Sequence, residues 1–234
     1  LYGLACDMDP IMDIVDEYDL ILIEDTAQAH GAKYKGKKAG NFGEAAVYSF
    51  YPTKNMTTGE GGIVLTNDKD INKKSELLIN HGATERYKHE VLGYNYRMTN
   101  IAAAIGLEQL KKLDKYNEKR RKNAAYLTEN LKDLDWLKTP VVPENREHVF
   151  HQYTVKVKNR EEFLQHLEEN GIGYGIHYSI PAYNQPLYKK MGYGDYELPV
   201  TEKLCKEVVS LPVHPALSKE DLEKIVEVIK SFMA

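Results

Sequence analysis

Ser49-Phe50-Tyr51-Pro52-Thr53-Lys54-Asn55-Met56-Thr57-Thr58-Gly59-Glu60-Gly61-Gly62 follows the apolar segment Ala45-Ala46-Val47-Tyr48 and leads into a second apolar segment, residues 62–66. Two short apolar runs joined by a polar, glycine-rich connection read as strands flanking a functional loop. Upstream, the run Leu20-Ile21-Leu22-Ile23 ends in Glu24-Asp25. Open α/β sheets bind ligands beyond the carboxyl ends of their strands. A lysine just past one strand and an acid just past its neighbour are therefore placed to act together.

The surrounding chain supports an α/β reading. Asp9-Pro10 predicts a helix start, with Asp9 as N-cap and Pro10 at the first helical position. Ile11, Ile14, Val15 and Tyr18 then share one face. A helix followed by a short buried strand, residues 20–23, predicts a crossover unit of a mostly parallel sheet. Lys35-Gly36-Lys37-Lys38 reads as a turn, and residues 71–79 as an amphipathic helix ending near His81-Gly82. Thr99 is placed to cap a long helix carrying Ala102, Ala103, Ala104 and Gly106, small residues that predict close packing. Its continuation through residues 111–131 is polar and leads to a second domain.

The tail has another rhythm. Residues 153–157 alternate like a strand with one wet face. Asn159-Arg160-Glu161-Glu162 reads as a capping box whose helix ends at Gly171, and residues 176–178 as a further strand. Ser218 and Asp221 form a second capping box, before a helix with Leu222, Ile225, Val226, Ile229 and Phe232 on one face. Residues 1–115 thus read as part of an α/β domain, and residues 116–234 as a linking helix and a smaller α+β domain.

The bulk numbers narrow the function. The 234 residues are 42% hydrophobic and 28% charged, ordinary for a soluble globular chain. A net charge of −4 argues against a nucleic-acid partner. No apolar run approaches the roughly 18–20 residues that span a bilayer, so no membrane role is expected. Cys6 and Cys205 are isolated and have no metal-site spacing, which fits a reducing, cytoplasmic setting and no metal.

Lys54 carries the chemistry. Most loop lysines are solvated charges, but this one sits between strands with Ser49 before it and a Thr-Thr-Gly-Glu-Gly-Gly run after it. A lysine and an acid so placed suit pyridoxal 5′-phosphate (PLP): the lysine forms a Schiff base, and the acid keeps the pyridine nitrogen protonated. Asp25 is the candidate acid, since a nearby carboxylate raises the pKa of that nitrogen. Gln28 can donate to the ring's phenolic oxygen. His30 reads more simply as a structural histidine.

These residues resemble the DegT/DnrJ/EryC1/StrS family. The likeness lies in Glu24-Asp25-Thr26-Ala27-Gln28-Ala29-His30-Gly31-Ala32, in the Lys54 stretch, and in Leu92-Gly93-Tyr94-Asn95-Tyr96-Arg97-Met98. It resumes at Gly171-Ile172, at Tyr174-Gly175-Ile176-His177-Tyr178 and at Leu211-Pro212-Val213-His214-Pro215. The resemblance implies fold type I, the aspartate aminotransferase-like fold, with residues 1–115 as the C-terminal part of the large PLP-binding domain. It implies Lys54 as Schiff-base lysine and proton carrier, Asp25 on the pyridine nitrogen, Gln28 on the ring hydroxyl and Ser49 on the cofactor phosphate. It further implies Asn95 reaching the cofactor phosphate of the other subunit in a homodimer, with Arg97, His177 and Tyr178 at the substrate.

The implied reaction moves an amino group from glutamate to a nucleotide-linked keto-sugar, for polysaccharide or antibiotic-sugar biosynthesis. Retention of lysine at position 54 favours transamination over the dehydratases that carry histidine there. The alternatives are a PLP dehydratase, an aminotransferase of a non-nucleotide ketone such as a cyclitol, and a non-catalytic regulator or remnant. Two features depart from the family. Tyr183 stands where histidine is common, and the family's N-terminal third, with its Gly-Thr phosphate turn and stacking aromatic ring, is missing before Leu1. A sheet without that third is expected to expose apolar faces.

Overall fold

The computed structural model describes residues 1–194 and 196–233. In chain order the elements are α1 (Met8–Glu17), β1 (Ile23–Asp25), β2 (Lys33–Tyr34), β3 (Lys37–Lys38), β4 (Ala45–Ser49), β5 (Gly62–Thr66), α2 (Lys69–Ile79), β6 (Ala83–Glu85), β7 (Lys88–His89) and α3 (Asn100–Leu131). There follow β8 (Leu137–Lys138), β9 (Arg146–Glu147), β10 (Tyr153–Val157), α4 (Arg160–Glu169), the one-turn α5 (Pro186–Tyr188), α6 (Pro199–Glu207), β11 (Val208–Leu211) and α7 (Lys219–Ser231). They divide into two compact units: Leu1–Glu118 with Val142–His151, and Lys119–Val141 with Gln152–Ala234. Among the described residues, no helix is long and apolar enough to cross a membrane.

In the first unit, the sheet that positions the site has the order β1-β4-β5. β1 pairs with β4 in parallel, with Asp25 opposite Val47, whereas β4 pairs with β5 antiparallel. The sheet is therefore small and mixed, which corrects the expectation of a mostly parallel one. The connection 50–61 contains no helix, and a parallel partner needs a long crossover. Phe50 N–H donates to Gly61 O at 2.8 Å, so the loop closes on itself and β5 returns beside β4. A second small sheet, β3-β2-β9, turns at Lys35-Gly36, both with positive φ.

Ala45 and Ala46 are buried on β4, and Phe50, Met56 and Leu113 form a core cluster beneath the loop. On β5, by contrast, Ile63, Val64 and Leu65 are all exposed. The start of α3 behaves alike. Thr99 Oγ1 accepts from Ala102 N at 3.2 Å, the cap expected from sequence. Yet Ala103 and Ala104 are exposed, as are Ile101, Ile105, Leu107 and Leu110, so the close packing expected there is limited to part of one face. Gly106 lies on that face: a Cβ there would be 3.1 Å from Thr58 Cγ2.

The second unit is built on the antiparallel sheet β11-β10-β8. Tyr153, Val155 and Val157 point inward from β10 and meet Leu127, Leu131, Phe163, Leu167 and Ile229 in a buried core. Ser218 Oγ accepts from Asp221 N while Asp221 accepts from Ser218 N, the full capping box of α7. Gly171 follows α4 at φ +70°, as a helix stop requires. Three expectations are corrected. Asn159 precedes α4 but its side chain makes no cap bond. Helix α1 begins at Met8, with Asp7 rather than Asp9 at the N-cap. Residues 176–178 form no strand; the only pairing there is an isolated bridge of Gly175 to Ser210.

Candidate active site

Because β1 and β4 run in parallel, their carboxyl ends share one edge of the sheet. Asp25 is the last residue of β1 and Ser49 the last of β4. Asp25 therefore lies within its strand rather than beyond it, which sets its direction. Successive strand side chains point to opposite faces. Glu24 turns inward, where its carboxylate accepts from Gly40 N at 2.7 Å, Phe42 N at 2.5 Å and Gly43 N at 2.9 Å. Asp25 turns outward and is exposed, with Oδ1 accepting from Ala27 N at 3.0 Å. The sequence reading treated the two acids as one feature; alternation separates a structural anchor from a site group.

Lys54 is half-buried at the top of its loop. The loop is held from within: Lys54 N–H donates to Tyr51 O at 3.0 Å, Thr58 N–H to Phe50 O at 3.0 Å and the Thr57 hydroxyl to Phe50 O at 2.9 Å. Partial burial keeps the Lys54 amine below the ordinary lysine range, and the Asp25 carboxyl, near enough to act on it, pulls the other way. Residue Ser49 accepts Tyr51 N–H on Oγ at 3.3 Å, which leaves its hydroxyl hydrogen to donate elsewhere. Gln28 Oε1 accepts Tyr2 N–H at 2.6 Å, turning its donor end the other way.

His30 is buried between the rings of Tyr48 and Phe50, at centroid distances of 5.2 and 6.1 Å. Burial pushes its imidazole down to about 4, despite the Ser49 backbone beside it, and the Lys54 charge adds to the effect. A neutral, enclosed ring fits the structural role read from sequence. The fold thus brings Asp25, His30, Ser49 and Lys54 together.

Asn95 and Arg97 lie elsewhere in the same unit, both exposed, on the segment after β7. Asn95 bridges to Asn80 at the end of α2, and Arg97 donates to the Asn80 side chain. Among the described residues, neither has a hydrogen bond to Asp25 or Lys54. His177 and Tyr178 belong to the second unit, where His177 Nδ1 lies 3.0 Å from Ser210 Oγ. What sequence reading missed is a buried amide pair, Asn55 and Asn117, on either side of the Lys54 loop. Asn55 could have been suspected beside Lys54; nothing near position 117 announces Asn117.

An α/β unit with a lysine and an acid at the carboxyl ends of parallel neighbours has the design of fold type I aminotransferases, and solved structures agree. The crystal structure of S. venezuelae DesV in complex with a ketimine intermediate superposes with a TM-score of 0.94 at 34% identity, covering 99% of this chain and 63% of that one. Over residues 1–230 the chain matches the DegT/DnrJ/EryC1/StrS aminotransferase family, and it belongs to that family. It is 43% identical to a pleiotropic regulatory protein of Geobacillus stearothermophilus over 99% of its own length. It is 40% identical to the dTDP-3-amino-3,6-dideoxy-alpha-D-galactopyranose transaminase of Aneurinibacillus thermoaerophilus, again over 99%. The chain spans 63% of the length of each of these two relatives. The family is PLP-dependent, and the residues present suit that cofactor: a lysine with a lowered amine pKa, an acid beside it, and a hydroxyl at the same strand edge.

Proposed function

We propose that this chain carries the cofactor-holding part of an aminotransferase that moves an amino group from glutamate to a nucleotide-linked keto-sugar. The observation that carries the reading is Lys54 facing Asp25 across the carboxyl ends of β1 and β4, with its amine depressed by burial. A lowered pKa leaves more of the amine uncharged and nucleophilic near neutrality. PLP, when bound, supplies an electron sink for the carbanion left by deprotonation.

The chain's own groups do the rest. Lys54 Nζ holds the cofactor and then carries the proton to and from the substrate carbon. Asp25 faces the pyridine nitrogen and stabilises its protonated form. Gln28 presents Nε2 to the ring hydroxyl, because Oε1 is occupied by Tyr2 N–H. The Ser49 hydroxyl donates to the cofactor phosphate. In a homodimer, Asn95 reaches the phosphate held by the other subunit, and Arg97, His177 and Tyr178 contact substrate. The names of the relatives support nucleotide sugars as the acceptor class.

The test is to add PLP to the purified protein and record its visible spectrum. A new band that is absent in Lys54→Ala, with amino transfer from glutamate to dTDP- or UDP-keto-sugars, is the expected result. An equal band in Lys54→Ala would overturn the assignment. A band without transfer to any keto-sugar would favour a dehydratase or cyclitol enzyme. No band in the unaltered protein would favour a regulatory role like that in the name of the Geobacillus relative.

A further inference from the structure

The loops after β1 and β4 are held to α3 by two buried amides. Asn55 is 4% exposed and Asn117 2%. Asn55 Nδ2 donates to Asn117 Oδ1 at 2.7 Å and to Val149 O at 3.0 Å. Asn117 Nδ2 donates in turn to His30 O at 2.7 Å. One side chain on α3 thus grips the residue after Lys54 and, through the His30 carbonyl, the loop that follows Asp25. The approach to His30 is close: a Cβ on Gly31, at φ +83°, would lie 2.9 Å from Asn117 Nδ2.

The amide pair does more than fill space. Leu113 lies one helical turn before Asn117, on the same face, and packs with Phe50 and Met56. That apolar contact is non-directional and fixes the depth of the loop but not its rotation. Buried hydrogen bonds are directional, and losing one partner leaves another buried polar group unsatisfied. Internal bonds already make the 50–58 turn a unit, so its bond from Asn55 orients Lys54 with it.

We propose that Asn117, acting through Asn55 and the His30 carbonyl, is a positioning residue that sets where the Lys54 amine stands relative to Asp25. Its catalytic meaning rests on Lys54 being the cofactor lysine. Neither amide touches a reacting atom; each acts through the loop it holds.

The test uses the purified protein without cofactor, with circular dichroism to confirm folding. Trace acylation of Lys54 by acetic anhydride across pH, read by mass spectrometry, gives the amine's titration midpoint. Amide exchange of residues 27–32 reports on the other loop. Asn117→Leu is expected to raise the midpoint toward the ordinary lysine value, as the amine gains solvent, giving about three- to tenfold less labelling at fixed pH. It is also expected to speed exchange at 27–32. Asn55→Ala leaves the bond from Asn117 to His30 in place and is expected to shift Lys54 labelling alone. Should Asn117→Leu fail to fold, Asn55→Ala carries the Lys54 arm by itself.

An unchanged Lys54 midpoint in the folded variants would overturn the proposal and leave apolar packing as the sole support of the loop. The visible band with PLP is recorded separately. Its absence in the unaltered protein would defeat the cofactor reading, while the labelling would still decide whether the amides position Lys54.

Discussion

Glu24 Oε1 accepts the backbone N–H of Gly43 at 2.9 Å, and the same carboxylate holds Gly40 and Phe42, while its chain neighbour Asp25 points to the opposite side of β1. Two acids in succession therefore have separable duties. Glu24→Ala strands three N–H groups in a part-buried turn and is expected to destabilise the protein by about 3 kcal/mol. Asp25→Asn, at an exposed position, is expected to stay within about 0.5 kcal/mol of the unaltered protein and to lose amino transfer. Urea unfolding beside a transaminase assay checks both. Equal destabilisation by the two changes would contradict the division.

Acid is expected to unfold the protein partly through two histidines. Burial holds His30 and His148 down to about 4, and His148 Nδ1 accepts Phe150 N–H at 2.9 Å, a bond that protonation there would break. Their folded values lie below the unfolded one. As pH falls, the unfolded state takes up the protons first. The stability they contribute is full above 6.5 and is lost as pH falls toward 4, a total on the order of a few kcal/mol. His148→Asn, which offers an acceptor in place of Nδ1, and His30→Phe should each flatten the fall in urea midpoint over that window. A fall as steep as in the unaltered protein would count against the assignment.

The two helix caps read from sequence should differ in value. Ser218→Ala breaks an observed capping box at α7 and is expected to cost about 1 kcal/mol. Asn159→Ala removes a side chain that makes no cap bond and is expected to cost only a few tenths. Thermal unfolding of both variants is the check.

Gly93 and Gly82 are expected to tolerate no side chain. A Cβ on Gly93 would lie 2.0 Å from Gly82 N, and one on Gly82, at φ +65°, 1.8 Å from Val91 O. Either glycine changed to alanine should cost well over 1 kcal/mol locally. The loss should appear as faster amide exchange across residues 83–91, the hairpin of β6 and β7, with little change at β10. Slow exchange at the hairpin in both variants would contradict the contact.

Short-range order was legible in the sequence. The strand-loop-strand around Lys54, the Thr99 and Ser218 caps, the Gly171 stop and the alternation of β10 each depend on a few adjacent residues, and each stands in the structure. The motifs also carried the family. The reading failed where the outcome depended on distant chain. Whether β5 ran parallel or antiparallel was set by the path of the 50–61 loop, not by the apolar character of residues 62–66. The small residues of α3 showed that close packing was possible, but which of its faces had a neighbour was a tertiary matter.

The site divides in the same way. Sequence by itself determined that Lys54 and Asp25 end up near strand termini, because strand length and loop composition are local properties. Only tertiary structure decided that Glu24 anchors a turn while Asp25 faces Lys54, and that Asn117 holds Asn55 and the His30 carbonyl across 62 and 87 residues of chain. Periodicity encodes which face a side chain takes within its own element. A directional hydrogen bond between buried amides needs donor and acceptor brought within 3 Å by the whole fold, and no local pattern records that.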